Sequence, residues 1–386
     1  MDRSKWEYKK LGEVGEIITG GTPPTKDPRN YSSDDYCFVK PSDLTDEKVM
    51  MLDDSEYHVS SYAYSNSRKL PKGSVLVCCI GSIGKLGILN VDATCNQQIN
   101  AIIPKEGFDS RYLAYTLLAS KHNLLNIANA PVVPIINKSQ FSNIKIKVCP
   151  PQDQQRIVAE LDCLNEMIAL KQEQLKEFDK LAQSIFYDMF GDPVTNEKGW
   201  KLSKLGEIGE LGRGVSKHRP RNAPELLGGN MPLIQTGDVA NAEMYITEYN
   251  ATYSELGVKQ SKIWKAGTLC ITIAATIGKC AILSFDACFP DSVVGFSTNE
   301  ELTNNEYIFY IFMSLQKMLE QNAPAVAQKN INLAVLNALD IPLPPLALQQ
   351  QFAEKIQAIE AQKEVVKKSI AETQQLLDSR MDYYFD

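Results

Sequence analysis

The chain has 386 residues, of which 44% are hydrophobic, and a formal net charge of −7. This length suffices for about two to three domains with ordinary cores, and the acidic balance excludes a protein that attracts polyanions through its overall charge. No apolar run approaches the roughly 18 residues of a membrane-spanning helix, and the N-terminus has no signal-peptide pattern, so we expect a cytoplasmic protein without membrane contact.

Two halves of the sequence match at a constant offset. The phrase LGEVGE at 11–16 recurs as LGEIGE at 205–210, which gives 205 − 11 = 194. The same offset relates Gly73 to Gly267, 83–85 to 277–279, and 150–151 to 344–345. Between these matches the halves differ, most clearly in 20–60 against 214–254. A shared scaffold with divergent loops is typical of related modules that bind different targets.

Each half is predicted to contain a mixed globule. Apolar runs predict strands at 74–80 and 99–104 in the first half, and helical spacing predicts a helix over 109–125. The second half repeats this order with strands at 268–274 and 293–296 and a helix over 305–319. Because strands come first and helices later, with many turn residues between them, the sequence favours an α+β fold with a pseudo-twofold internal repeat.

A long helix is predicted after each Pro-Pro pair. Apolar residues recur there in steps of three and four, which is typical of a coiled-coil seam. The seam positions are Ile157, Leu161, Leu164, Ile168, Leu175 and Phe178 in the first helix, and Phe352, Ile356, Ile359, Val366 and Ile370 in the second. Lys171, Lys363 and Thr373 interrupt the two seams. Each helix needs a partner for its apolar stripe, and pseudo-twofold symmetry would pair the two helices antiparallel.

These predictions divide the chain into four segments. They are a first globular domain at 1–149, a central long helix at 150–192, a second globular domain at 193–343 and a C-terminal long helix at 344–386.

The local distribution of charge differs from the total. Residues 57–91 and 256–285 contain several lysines and no Asp or Glu, and they correspond between the halves. A third basic segment lies at 213–221. A polyanion responds to the potential within a Debye length of about 8–10 Å, so an acidic protein can carry basic faces. Solvated surface lysines are the alternative for any one window, but recurrence favours a shared binding face.

The sequence contains few of the residue patterns that catalysis or metal binding requires. The nine Cys form no CxxC pair, and the three His are far apart in the sequence, so we expect reduced thiols, no metal site and no catalytic residues. No Asn/Asp-Pro-Pro-aromatic motif for a flipped adenine is present, and no GxGxxG follows a strand. The Gly81-x-x-Gly84-Lys85 segment either approaches a DNA phosphate or forms a tight turn between strands.

Several phrases resemble the specificity subunit of type I restriction–modification systems. The resemblance covers essentially the whole chain, and it depends on an ordered set of phrases that occurs in duplicate. These are the glycine-rich 20–25, the strand and Asp-bearing loop at 38–44 and 233–239, the GK turns at 81–85 and 276–279, and the later phrases at 95–101 and 289–295. The chain departs from the family pattern at Gln154 and Leu348, where Glu is common after the prolines.

The resemblance implies two target recognition domains, each reading one half of a split double-stranded DNA sequence. It also implies docking onto modification subunits that methylate adenine, and with them onto a restriction motor subunit. S-adenosylmethionine is then expected on the partner methyltransferase, with no cofactor in this chain.

Reading DNA requires cations for the backbone and bidentate side chains for the bases, with Arg suited to guanine and Gln to adenine. The candidates are Thr22, Lys26, Arg29, Lys40, Lys85 and Gln97 in the first half, and Arg213, Lys217, Arg219, Arg221, Gln235 and Lys279 in the second.

Two other functions compete with the DNA-specificity subunit. One is an enzyme with a site shared by both globules, which residues 289–292 (FPDS) suggest. The other is a coiled-coil protein-interaction scaffold that binds no nucleic acid. Affinity for DNA that falls with salt would separate a DNA-binding protein from the scaffold.

Overall fold

The structure is a computed structural model that describes residues 3–128, 134–221, 223–274, 277–322 and 332–385. It divides into two compact units. Unit 1 comprises Met1–Gln172 together with Lys368–Asp386, and unit 2 comprises Glu173–Lys367. Each unit therefore combines one globule with parts of two long helices.

The first half of the chain folds into short strands and helices that lead into the first long helix. In chain order they are β1 (Glu7–Lys10), α1 (Leu11–Val14), β2 (Gly15–Thr19), β3 (Tyr36–Val39), β4 (Met51–Leu52), β5 (His58–Val59), α2 (Ser61–Ser65), β6 (Val75–Cys78), β7 (Leu86–Leu89), β8 (Ala93–Cys95), β9 (Ile99–Pro104), α3 (Ser110–Ala119), α4 (Lys121–Ile127), α5 (Lys138–Ser142), β10 (Lys145–Val148) and α6 (Pro151–Phe190).

The second half continues the numbering. Its elements are β11 (Leu202–Lys204), β12 (Gly209–Arg213), β13 (Leu227–Pro232), α7 (Thr236–Asn241), β14 (Tyr245–Ile246), β15 (Thr252–Tyr253), α8 (Glu255–Lys259), β16 (Ile263–Trp264), β17 (Leu269–Thr272), β18 (Cys280–Leu283), β19 (Ala287–Cys288), β20 (Val293–Thr298), α9 (Asn305–Asn322), α10 (Leu333–Asn337), β21 (Asp340–Pro342) and α11 (Leu346–Phe385).

Unit 1 is organised around a five-stranded sheet in the order β2-β9-β6-β7-β4. The central strand β6 is buried along its whole length because both of its faces are covered. Val75 and Val77 join a core cluster that contains residues of α3, whereas Leu76 and Cys78 join a second cluster with Val39 of β3. Alternation of side chains along a strand thus explains why this sequence is continuously apolar.

Unit 2 repeats this architecture. Its main sheet has the order β12-β20-β17-β18-β14, the same sequence of equivalent strands as in unit 1. In both sheets the short edge strand pairs parallel with its neighbour, and the other pairings are antiparallel. Leu269 and Ile271 pack in the cluster that contains residues of α9, and Cys270 packs in the opposite cluster. The predicted α+β fold with an internal repeat is confirmed.

A two-stranded ribbon closes each globule at the start of its long helix. In unit 1, β1 pairs antiparallel with β10, and Glu7 lies opposite Val148. In unit 2, β11 pairs antiparallel with β21, and Leu202 lies opposite Pro342. The ribbon brings the first residues of each half next to the segment that leads into α6 or α11.

The long helices α6 and α11 pack antiparallel within each unit. In unit 1, Tyr384 donates a hydrogen bond to Glu160, while Lys171 donates to Ser369 and Thr373. As residue numbers rise along α6, the numbers of the residues that they contact on α11 fall, so the two helices run antiparallel. Unit 2 gives the same direction independently, since Asp179 contacts Lys363 while the Phe186 and Phe352 rings lie 5.6 Å apart.

Most seam positions of the two helices are buried in the core of one unit or the other. The buried members are Ile157, Leu161, Leu164, Ile168, Phe352, Ile356 and Ile359. Leu175, Phe178, Val366 and Ile370 are half-buried. The buried residues lie in the N-terminal half of each helix, where the helix also packs against a globule.

The polar interruptions of the seam have specific partners. Lys171 Nζ donates to the hydroxyls of Ser369 at 2.8 Å and Thr373 at 2.9 Å. Lys363, with only 3% of its side chain exposed, contacts Asp179 at 2.8 Å, Glu243 at 2.8 Å and Glu360 at 3.1 Å. Both lysines are satisfied, as buried charges must be.

Glu243 extends the Lys363 network from the helices to the globule of unit 2, because it lies between α7 and β14. Burial alone would raise the pKa of Glu243, but the hydrogen bonds from Lys363 and Lys367 outweigh it and lower that pKa. Burial raises the pKa of Glu360 despite its contact with Lys363. The network therefore holds Glu243 in its charged form against the helix.

All nine cysteines are free thiols, and eight of them are buried. Burial raises the pKa of Cys79 and of Cys95 to about 12, so both are neutral thiols that fill the core. In the part of the chain that the structure describes, no helix has the length and apolar character needed to cross a membrane.

We expect Lys363→Ala to destabilise unit 2 by roughly 1–3 kcal/mol, because the largely buried Glu360 side chain would lose the ammonium group that it contacts. The value is below that of a fully buried pair since Asp179 and Glu243 are partly exposed. Lys355→Ala, at an exposed position of the same helix, is the control and should stay within about 0.5 kcal/mol of the wild type. Denaturant unfolding measures both, and equal midpoints for the two variants would contradict the structural role of Lys363.

Candidate nucleic-acid interface

The glycine-rich loop of unit 1 is fixed against the segment between β8 and β9. The Gly20 amide donates to the carbonyl of Ile99 at 3.0 Å, and the Gly21 amide donates to that of Cys95 at 2.8 Å. A Cβ atom on Gly20 would lie 2.1 Å from the carbonyl oxygen of Asn96, so only glycine allows this approach. Two segments that are distant in the sequence thus form one backbone unit.

The predicted site residues Thr22 and Gln97 meet at this junction. The Thr22 hydroxyl donates to Gln97 Oε1 at 2.6 Å, and both residues are exposed. The hydroxyl orients an amide that retains its own donor group, which is a suitable arrangement for reading a base edge.

Unit 2 has the same backbone junction. The Gly214 amide donates to the carbonyl of Val293 at 2.9 Å. A Cβ atom on Gly214 would lie 2.2 Å from the carbonyl oxygen of Phe289 and 2.3 Å from that of Pro290. The offset of 194 relates these residues to those of unit 1, since 214 − 20 and 293 − 99 both equal 194. The backbone of the candidate interface therefore repeats although the loop sequences differ.

The side chains at the unit 2 junction are different. Arg221 Nη2 contacts the two carboxylate oxygens of Asp291 at 2.6 and 2.9 Å. Arg219 donates through Nη1 to the carbonyls of Ser216 and His218, and its Nη2 lies 3.9 Å from Asp291. The predicted basic segment 213–221 is thus partly organised by one carboxylate and by its own backbone.

Asp291 was not among the predicted site residues. It stands at the position equivalent to Gln97, since 291 − 97 = 194. That offset was the signal that could have identified it. Its sequence phrase had instead suggested a shared enzyme site.

The remaining cations of the basic segment are exposed. Arg213 is the last residue of β12, where it pairs with Val294 in the sheet. The amides of Lys217 and His218 both donate to Gln260 Oε1, at 2.6 and 3.0 Å. This contact holds the backbone and leaves the Lys217 side chain in solvent.

Lys40 and Gln235 occupy corresponding capped turns. Their amides donate to Asp43 and Asp238, each at 2.7 Å. The Asp in this phrase therefore caps the turn in which it lies. Lys40 Nζ also lies 3.0 Å from the centre of the Tyr57 ring, a cation–π contact, whereas Gln235 is exposed.

Lys26 and Arg29 lie in the loop that follows Thr22. Lys26 is exposed. The Arg29 guanidinium pairs with Asp27 at 2.8 Å and lies 4.5 Å from the centre of the Tyr62 ring. The hydrogen bond from Arg29 lowers the pKa of Asp27, so the charge of Arg29 is offset locally.

Lys85 ends the tight turn between the paired strands β6 and β7, and Lys279 directly precedes β18, which pairs with β17. The Lys85 carbonyl accepts from Cys78 at 2.8 Å, and the Lys279 carbonyl accepts from Thr272 at 2.9 Å. Gly84 and Gly278 have positive φ angles of 86° and 78°. Residues 81–85 therefore form the tight turn between strands that we predicted as the alternative to a phosphate contact. Lys279 is exposed and Lys85 is half-buried; Thr276 of the second phrase lies outside the described residues.

One group of metal-type ligands occurs in the described part of the chain. The ligand atoms of Cys37, Asp54 and His58 lie within 4.8 Å of one another. The His58–Asp54 distance of 2.7 Å is that of a hydrogen bond, and it is shorter than the about 3.3 Å between two ligands on a tetrahedral zinc ion. Cys37 Sγ donates to the same Asp54 oxygen at 3.7 Å. Hydrogen bonding alone accounts for this geometry.

The fold and the candidate interface together define a duplicated recognition protein with a common backbone and different loop side chains. The chain belongs to the type I restriction modification DNA specificity domain family, whose model matches residues 3–179 and 197–375. The family domain is present twice in this chain.

Individual relatives agree with this assignment. The chain is 30% identical over 223 residues to the type I restriction enzyme MjaIX specificity subunit of Methanocaldococcus jannaschii, a match that spans 53% of this chain and about half (51%) of that relative. It is 24% identical to the putative MjaX specificity subunit of the same organism, over 94% of this chain and 88% of the relative. The crystal structure of a type I restriction–modification S subunit from M. genitalium shares the fold, with a TM-score of 0.60 at 13% identity over 99% of this chain and 96% of that one.

We expect Gly20→Ala to destabilise unit 1 by about 1–3 kcal/mol, because the added Cβ would collide with backbone oxygens. Gly21→Ala is the matched control, since nothing lies within 4 Å of a Cβ at that position. Thermal unfolding measures the difference. The junction would be less rigid than described if both variants unfolded at the same temperature.

Proposed function

We propose that this chain is the noncatalytic specificity subunit of a type I restriction–modification complex. Each unit reads one half of a bipartite double-stranded DNA sequence. The chain docks the modification subunits, which supply S-adenosylmethionine-dependent adenine methylation, and through the complex it docks the restriction motor subunit.

The observation that carries this proposal is the duplicated junction with divergent side chains. Gly20 and Gly214 make equivalent backbone contacts, while Gln97 and Asp291 differ in chemistry at equivalent positions. A protein that read one sequence twice would repeat the side chains as well. Repetition of the backbone without the side chains supports two different half-sites.

Local charge supports nucleic acid as the ligand. Arg213, Lys217, Arg219 and Arg221 lie in one segment of unit 2, with Asp291 as the contacting carboxylate. The outward cations can hold phosphates, which position a protein on DNA without specifying a sequence. The overall charge of −7 does not oppose this, because distant charges are screened.

We expect the purified chain to transfer no methyl group by itself, whereas adding the modification subunit and S-adenosylmethionine should give methylation of one bipartite sequence. Methylated positions are mapped by sequencing DNA treated with the complex. Activity of the chain alone would overturn the noncatalytic assignment. DNA affinity should also fall linearly with salt on logarithmic axes, and a flat response would favour the protein-interaction scaffold.

Exchange of residues 20–145 for the same segment of another family member should change one half of the methylated sequence and leave the other half intact. The loops of this segment carry the unit 1 candidates Thr22 and Gln97. The control is exchange of residues 20–145 for a copy from a relative with the same target. An unchanged target after the first exchange would contradict the assignment of one half-site to each unit.

A further inference from the structure

One place in each unit has the same backbone and a different pair of side chains. In unit 1 the pair is Thr22 and Gln97, joined by a hydrogen bond of 2.6 Å. In unit 2 the pair is Arg221 and Asp291, joined at 2.6 Å. Because Gln97 and Asp291 follow the equivalent junctions at the same spacing, they occupy corresponding sites on the two units.

In unit 2, the partner of Asp291 does not come from the position equivalent to Thr22. The equivalent residue is Ser216, since 216 − 22 = 194. Its hydroxyl is buried and makes no hydrogen bond to any described residue. The partner of Asp291 comes instead from Arg221, further along the same loop.

The two arginines that approach Asp291 have different tasks. Arg219 Nη1 donates to the carbonyls of Ser216 at 2.6 Å and His218 at 2.8 Å, so it braces the loop. Arg221 contacts the carboxylate through Nη2 alone, and no described residue accepts a hydrogen bond from its Nε or Nη1. Its side chain is 46% exposed. The carboxylate therefore fixes a guanidinium that keeps free donors.

Held by Asp291 through Nη2, the guanidinium keeps N–H donors at Nε and Nη1, and guanine presents two acceptors, O6 and N7, on its major-groove edge. An amide fixed by a hydroxyl matches adenine, which presents one acceptor and one donor. The Asp291 charge is tolerable beside DNA because Arg221 and Arg219 lie against it and the same segment, 213–221, also contains Arg213 and Lys217.

We propose that Arg221, positioned by Asp291, hydrogen-bonds one guanine in the half-site read by unit 2, and that Gln97, positioned by Thr22, reads one adenine in the half-site of unit 1. This inference rests on the proposed function and adds to it the base recognised at each junction. Asp291 and Thr22 act through their neighbours and are positioning residues.

The test uses the full chain assembled with its modification subunit. The methylated sequence is mapped first, and duplexes are then made with each base pair of the target replaced in turn. The kcat/KM for methyl transfer is measured on each duplex. Arg221→Lys keeps the charge but loses the planar fork of donors, so it separates base reading from phosphate binding. Arg156→Lys, on the exposed surface of α6, is the same substitution outside the interface.

We expect Arg221→Lys to reduce discrimination about 5- to 150-fold at one G·C pair of one half-site and to leave the other positions unchanged. Asp291→Asn should lose discrimination at the same pair, while its affinity for duplexes lacking the target stays equal or rises because a negative charge is removed. Thr22→Val should lose discrimination at one A·T pair of the other half-site. Arg156→Lys should match the wild type.

Two outcomes with Arg221→Lys would overturn the guanine assignment. One is wild-type discrimination by Arg221→Lys at every pair, and the other is an even loss across all positions, which would identify a phosphate contact. An Asp291→Asn variant that loses target and non-target affinity equally would show a purely structural carboxylate. If the wild-type complex itself showed no sequence preference, the proposed function would fail before the inference was reached.

Discussion

Burial of the apolar stripe along each long helix is the constraint on which the rest of the structure depends. A helix with an apolar stripe requires a covering surface. Residues of α6 up to Gln172 belong to unit 1 and the following residues belong to unit 2, and α11 divides at Lys367 and Lys368. Each globule therefore completes its core with parts of both helices. Unit 1 needs residues 368–386, so closing it requires contacts between residues far apart in the sequence, such as Tyr384 and Glu160, and such contacts carry an entropic cost.

Polar residues inside the helix pair restrict how the helices can slide. An apolar seam alone tolerates a shift by one heptad, because leucine and isoleucine pack similarly after it. Lys171 needs the hydroxyls of Ser369 and Thr373, and Lys363 needs Asp179, Glu243 and Glu360. A shift would leave either ammonium group buried without acceptors. Glu243 belongs to the globule of unit 2. The contacts that fix the register of the two helices therefore also fix this globule against them.

Periodic and repeated features could be predicted from the sequence, whereas individual side-chain partners could not. The offset of 194 and the apolar spacing gave the duplicated α+β frame and the antiparallel helices, because both depend on many residues acting together. The contacts of Arg219 and Arg221 depend on how one irregular loop folds over Asp291, 70 residues beyond Arg221. No periodicity encodes that contact. Lys363 was visible as a break in the seam, but its partner Glu243 comes from another element.

A repeated backbone with different side chains lets one fold change its target without losing stability. The close backbone packing at each junction requires glycine at positions 20 and 214. The atoms that they pack against are carbonyl oxygens of residues 96 and 290, which any residue at those positions would supply. The side chains at 97 and 291 are then free to vary, because they are exposed or half-exposed and contribute little to the core. Surface substitutions of this kind change stability by about 0.5 kcal/mol or less, whereas one bidentate base contact changes discrimination by about 1–3 kcal/mol. If the side chains at 97 and 291 read DNA as proposed, stability and specificity are carried by different atoms of the same junction, and the two units can diverge independently.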